Sequence, residues 1–220
     1  MAPASAPPPV GLILDVQHIG RRARTDRGVV WPQGSTRHED FEAARVLHYV
    51  AAATRRAFAR GVPCLVLTHG SYPARHAGVA TFAREAAPGG GAGVTWLYAA
   101  CHLNVFLPQG GGRFGLVAHD ARSSLGGRFA QAVAQALRDG PYKERPDVRV
   151  RGIGPAQAQE PWQRNVLSTY AGIWQAPSNV AGICYEPAHI DDAALALDPE
   201  GLASLGHALV DGALAAHAAG

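Results

Sequence analysis

The stretch Gly11-Leu-Ile-Leu-Asp-Val-Gln-His-Ile-Gly20 constrains this chain most. An unbroken apolar run passes into Asp15, Gln17 and His18, and a glycine then ends it. Such a run reads as a buried strand that releases a histidine at its carboxyl end. Val94 to Cys101 repeats the arrangement and releases His102 and Asn104, and Val180 to Tyr185 runs straight into Glu186. In open α/β sheets the crevice beyond the carboxyl ends of the strands is where ligands bind, so the three strand ends point to one shared site.

Between these strands the pattern alternates. His38 to about Arg60 reads as a helix with acidic residues in its first turn and Ser35 or Thr36 as its cap, stopped by Gly61. Val62 to Thr68 reads as a strand, Pro73 to Ala86 as a helix, Phe114 to His119 as a strand, Leu125 to Arg138 as a helix and Val148 to Ile153 as a strand. Pro199 to Ala219 closes the chain as a helix with Leu202, Leu205, Leu209 and Val210 on one face. Strand and helix in alternation predict an α/β fold: a doubly wound, mostly parallel sheet of about six strands with helices on both faces. Arg21 to Thr36 reads as a long loop, and loops of that length in a compact domain are usually functional. The segment from Gln157 to Pro177 is expected to be a partly helical excursion near the site.

At 220 residues, with no linker-like stretch, residues 10–220 read as one domain behind a flexible Pro-rich terminus over 1–9. A net charge of +3 without a basic run or a basic-aromatic stripe argues against nucleic acid as a partner. The N-terminus has neither the positive nor the apolar region of a secretory signal, and no apolar run approaches the ~20 residues of a membrane span, so synthesis in the cytoplasm is expected. Cys64, Cys101 and Cys184 fall in or at the ends of strands at no metal-type spacing and read as buried free thiols. Ser123-Ser124 makes no Gly-x-Ser-x-Gly elbow, and Gly110-Gly-Gly112 lacks the end of a phosphate loop.

Catalytic zinc is commonly held by three protein ligands drawn from His and a carboxylate, with a fourth position open. His18 and His102 supply two ligands, and the acidic helix start supplies Glu39 as the third, with Glu42 as its rival. His69, His119 and His189 are the other histidines expected to line the cleft, and Arg75 and Arg122 read by default as a solvated face.

Taken together these motifs resemble the zinc-dependent N-acetylmuramoyl-L-alanine amidases, the peptidoglycan amidases of cell-separation enzymes and phage lysins. In that family the first strand ends in a histidine followed by glycine and an aspartate-glycine step, which Asp15-Val-Gln-His-Ile-Gly20 and Asp26-Arg-Gly28 resemble. The family's glutamate ligand opens the first helix, as Glu39 does here; its Ser-Ile-His-Ala-Asn looks like Ala100-Cys-His-Leu-Asn104; its catalytic glutamate ends the last strand, as Glu186 does. The resemblance runs from about residue 10 to 215 in the family's order. Three departures stand out: Val-Gln in place of Pro-Gly before His18, Thr68-His69 in place of Thr-Arg, and no Gly-Phe after Glu186.

What the resemblance implies is a Zn2+ cofactor on His18, Glu39 and His102, and Glu186 as general acid-base. Asp15, Gln17 and Asn104 would orient the imidazoles, and the substrate would be the amide between N-acetylmuramic acid and L-alanine in peptidoglycan or a muropeptide. Two alternatives stay open: another zinc amidohydrolase or peptidase acting on a small amide, and a non-catalytic descendant that binds a glycan, peptide or protein.

Overall fold

The computed structural model describes residues 10–19, 28–85, 94–104, 114–144, 147–155, 173 and 179–219. Most of the expected excursion over 157–177 and the terminus over 1–9 lie outside them. The described strands are β1 (Val10–Val16), β2 (Cys64–Leu67), β3 (Thr95–Cys101), β4 (Gly115–Asp120), β5 (Val148–Ile153) and β6 (Val180–Glu186). The described helices are α1 (Glu42–Ala59), α2 (Tyr72–Glu85), α3 (Ser124–Asp139) and α4 (Pro199–Ala218).

The strands form one mixed sheet in the order β2-β1-β3-β6-β4-β5. Every neighbouring pair is parallel except β4 with β6. The three central strands β1, β3 and β6 are buried on both faces, which is why each reads as a near-continuous apolar run. Helices cover both faces, as expected. On one, Val46 and Tyr49 of α1, Phe129 and Val133 of α3, and Leu205 and Leu209 of α4 pack over Leu12, Leu14, Leu97 and Ile183. On the other, Val79 and Ala83 of α2 pack with Ile13, Trp96, Tyr98 and Cys184.

The helices α1, α3 and α4 approach closely. A Cβ on Gly206 would lie 2.2 Å from the Tyr49 carbonyl oxygen of α1, and one on Gly212 would lie 2.4 Å from Val133 Cα of α3. Side chains at either position would force the helices apart. The three cysteines are free thiols, Cys101 and Cys184 buried and Cys64 half-buried. Among the described residues no helix is long and apolar enough to cross a membrane.

The reversed β4–β5 pair has a consequence for the site. Because β4 runs against β6, the carboxyl end of β4 lies at the sheet edge opposite that of β6. His119, expected in the cleft, therefore sits at the far edge, with Nδ1 2.8 Å from the Asp120 carbonyl oxygen. Arg122 closes on Asp120 there at 2.8 Å, the carboxylate itself being buried.

Candidate metal and catalytic site

Register aligns the three strand ends: Val16 of β1 pairs with Cys101 of β3, and Cys101 pairs with Tyr185 of β6. The next residues leave the sheet together but stay bonded across it. The Gln17 N–H donates to the Cys101 carbonyl (3.2 Å) and the His102 N–H to the Tyr185 carbonyl (2.9 Å). Tyr49 of α1 donates its hydroxyl to the His102 carbonyl at 3.0 Å. His18, His102 and Glu186 thus meet at one edge because three parallel strands stop in the same row.

The carboxylate that joins them is Glu42, the first residue of α1. Its Oε1 lies 3.1 Å from His102 Nδ1 and 3.7 Å from His18 Nε2, and it accepts the Leu103 N–H at 3.1 Å. Its Oε2 accepts the Val29 N–H at 3.2 Å. One ligand-capable atom from each of His18, Glu42 and His102 falls within a group no more than 4.8 Å across. The two imidazoles meet edge to face with centroids 5.1 Å apart. Gly28, at φ +70, lets the backbone lie against this carboxylate, since a Cβ there would fall 2.3 Å from Glu42 Oε2.

Glu39 is not part of this group. It lies on a separate turn, His38–Asp40, with its carboxylate 59 % exposed and accepting the Arg37 Nε–H at 2.8 Å. The expected single helix from His38 is broken at Phe41, whose φ of −84 and ψ of 148 are extended. A short antiparallel bridge imposes the break. Trp31 N–H donates to Asp40 O, Glu42 N–H donates to Val29 O, and Val30 faces Phe41. The helix therefore starts with Phe41 as its cap, and Glu42 rather than Glu39 turns toward the strand ends.

The other expected residues divide. Glu186 is half-buried at the end of β6 and accepts the Cys184 thiol at 3.6 Å. Burial and the charge of Glu42 raise its pKa, against the opposing pull of His102 and His18. Burial would lower the pKa of His102, but the hydrogen bond and charge of Glu42 outweigh it and the net shift is upward. For Glu42 burial pushes up, yet the His102 hydrogen bond and the two imidazoles leave its pKa lowered.

Asp15 does not reach the imidazoles. Its two oxygens are taken by Arg75 Nη1 at 2.5 Å and the Tyr98 hydroxyl at 2.6 Å, on the α2 face. Gln17 is buried, and its side-chain amide has no hydrogen-bond partner among the described residues. The Asn104 backbone ties the two loops beyond β3 and β6, donating to Ala188 O and accepting from the Ile190 N–H. His69 is exposed at the carboxyl end of β2, and His189 is buried beside Asn104.

Two arginines brace this edge: Arg45, which the sequence does not single out, and Arg75, which it reads as solvated. Arg45, one turn after Glu42, donates to the carbonyls of Ile190 (2.5 Å), Trp31 (2.8 Å) and Glu39 (3.3 Å). Arg75 does the same on the other face and is buried rather than solvated.

A carboxylate and two imidazoles converging within reach of one ion are a donor set suited to zinc. The charge balance agrees. Among the described residues no lysine or arginine pairs with the buried Glu42, so its counter-charge is left to two imidazoles or to an ion they share.

No protein-family model and no curated protein matches the chain. Solved structures do. The CwlD amidase from Clostridioides difficile, solved in complex with the GerS lipoprotein, superposes with a TM-score of 0.63 at 13% identity, covering 96% of this chain and 99% of that one. The N-acetylmuramoyl-L-alanine amidase AmiC2 of Nostoc punctiforme gives 0.63 at 12% identity, covering 94% and 96%. The N-acetylmuramyl-L-alanine amidase Ami1 from Mycobacterium smegmatis gives 0.61 at 17%, covering 96% and 98%. Over nearly its whole length the chain shares the fold of these amidases.

Proposed function

We propose that the chain is a zinc-dependent amidohydrolase that cleaves the amide between N-acetylmuramic acid and L-alanine in peptidoglycan or its fragments. One observation carries this reading: His18, Glu42 and His102 converge within 4.8 Å at the carboxyl edge of the sheet, with Glu186 on the neighbouring strand end. The likeness of fold to N-acetylmuramoyl-L-alanine amidases supports the choice of bond.

His18, Glu42 and His102 would hold the ion. Zinc bound there supplies a Lewis acid for the scissile carbonyl and lowers the pKa of a coordinated water toward ~7. Glu186, at the end of the neighbouring strand β6, would act as a base and then as an acid. Its carboxylate takes a proton from the water that adds to the carbonyl carbon. As the C–N bond breaks, the same proton passes to the departing L-alanine nitrogen. Leu103 and Val29 fix the Glu42 carboxylate through their amides throughout.

The test pairs two measurements on one preparation: zinc per chain, and release of soluble peptide from purified cell walls near pH 7. Wild type is expected to hold about one zinc per chain and to release free L-alanine amino termini. Glu186→Gln keeps size and hydrogen bonding but removes the proton acceptor, so it should retain zinc and lose roughly 10²-fold or more in turnover. Undiminished release by the Gln variant removes Glu186 from the mechanism. Zinc uptake with no release from walls, but cleavage of small amides, would indicate another amidohydrolase; a chain that takes up no zinc would be a binding descendant of the fold.

A further inference from the structure

We infer that Arg75 and Tyr72 of α2 form a clamp that holds His18 in a strained, ligand-ready conformation, so that α2 is a positioning element for the metal site. The inference rests on the zinc reading given above, and concerns residues on the opposite sheet face from α1 and Glu42.

His18 has φ +56, the only non-glycine residue at positive φ among the described residues. That region disfavours any residue with a Cβ, and it persists where the surroundings over-determine it. The surroundings here belong to α2. Arg75 Nη1 donates to the carbonyl of Val16 at 2.8 Å, and Nη2 donates to the carbonyl of Ile19, so one guanidinium grips the chain on both sides of His18. One helical turn earlier, the Tyr72 hydroxyl accepts the His18 N–H at 3.4 Å. The guanidinium is itself fixed. Nη1 also donates to Asp15 at 2.5 Å, and Nε reaches the carbonyls of His69 and Gly70 at 3.2 Å each.

This network excludes two simpler roles for Arg75. Its side chain is 2 % exposed and that of Asp15 is 0 % exposed, so it is not a solvated cation. Each of its three nitrogens donates to the protein, so the buried fork is occupied in holding the chain rather than in receiving an anionic substrate. The planar fork of arginine can serve a carboxylate and separate carbonyls at once, which a lysine ammonium cannot do in the same geometry. What the clamp sets is the direction in which the His18 imidazole leaves β1, and outer contacts of that kind typically matter 10- to 100-fold for metal affinity.

The test uses the full chain stripped of metal and titrated with zinc against a competing chelator, together with amide exchange at His18 and Ile19 in the metal-free protein. Arg75→Lys keeps a charge opposite Asp15 but loses the fork. It is expected to weaken zinc binding roughly 10- to 100-fold and to speed exchange of the His18 amide. In a His18→Ala background the same Arg75→Lys change should leave the residual zinc affinity about where it was. Arg56→Lys, at the distant Arg56–Asp211 pair between α1 and α4, should alter neither readout.

A folded Arg75→Lys protein that binds zinc as tightly as wild type overturns the clamp, as does an equal loss in both backgrounds. If Arg75→Lys does not fold, Tyr72→Phe takes its place: it removes only the hydroxyl, and should speed His18 exchange and weaken zinc binding by a smaller factor. No change in either readout overturns the clamp. Failure here is separable from failure of the proposed function. Zinc binding without cell-wall cleavage sinks the function and leaves the clamp standing, whereas a wild-type chain that takes up no zinc sinks both.

Discussion

Asp15 and Glu42 are two buried carboxylates at the same sheet edge, one on each face of the β1–β3 pair, and they are neutralised in opposite ways. Asp15 faces a fixed cation and a phenol, Arg75 and Tyr98. Glu42 faces two backbone amides and two imidazoles that are charged only when protonated. Burying a carboxylate is costly unless a positive charge and hydrogen bonds offset the lost hydration. The Asp15 side meets that demand permanently and is closed to ligands. The Glu42 side meets it conditionally, and a divalent cation would meet it better than protons do. The same residue chemistry therefore serves structure on one face and, on the proposed reading, would serve metal capture on the other.

The difference can be broken by substitution with and without zinc. Asp15→Asn leaves Arg75 buried without its counter-ion, and removing one partner of a buried pair costs about 3–5 kcal/mol. The loss should appear in denaturant melts of metal-free and zinc-loaded protein alike. Glu42→Gln keeps one acceptor oxygen, enough for Leu103 or Val29 but not both, and strands no buried charge, so the metal-free melt should move less than on Asp15→Asn. The zinc-loaded melt should lose nearly all of its metal-dependent gain, which for wild type at a thousandfold excess over Kd is about 4 kcal/mol. If Asp15→Asn behaved like Glu42→Gln, with its cost appearing only in zinc, the contrast between the two carboxylates would collapse.

The reading from sequence reached the strand ends and stopped at the connections. His18, His102 and Glu186 were legible because buried strands advertise themselves as apolar runs and the polar residue that follows each is unmistakable. Glu42 was not separable from Glu39. The bridge of Val29–Trp31 with Asp40–Glu42 that breaks the helix at Phe41 leaves no mark in the apolar pattern. His119 was misplaced because strand direction is set by the route of the connecting chain, and the reversal of β4 against β6 is invisible in β4 itself. Arg75 reads as surface from its neighbours, and only pairing with Asp15, sixty residues away, shows it to be buried.

On the proposed reading protons and zinc would compete for the Glu42 side, which makes its pH dependence the next sharpest contrast. The hydrogen bond and charge of Glu42 raise the pKa of His102 against burial. A raised histidine contributes stability that is present below its unfolded value of about 6.5 and is lost as pH rises through its folded value. Glu42 is lowered, so its contribution is present above its unfolded value of about 4.3 and is lost as pH falls through its folded value. The metal-free protein should therefore gain most from this pair between those two unfolded values. Zinc needs the neutral imidazole, so its affinity should climb with pH until His102 has lost its proton, with a half-point above 6.5. Melts at pH 5.5 and 8 with a zinc titration across pH 6 to 8 measure both. A flat zinc affinity over that range would uncouple His102 from the ion.

The smallest effect is expected at Glu39, and its smallness is informative. Glu39 and Glu42 are three positions apart, and on an unbroken helix both could approach the same cleft. The extended Phe41 separates them, leaving Glu39 solvated and, among the described residues, paired only with the exposed Arg37, and surface pairs of this kind contribute little. Glu39→Ala should therefore leave zinc affinity, melting temperature and turnover at wild-type values, whereas Glu42→Ala abolishes zinc uptake. Paired zinc titrations of the two variants decide between them. A loss of zinc on Glu39→Ala would mean that the helix begins at His38 in solution and that Glu42 has a structural role like that of Asp15.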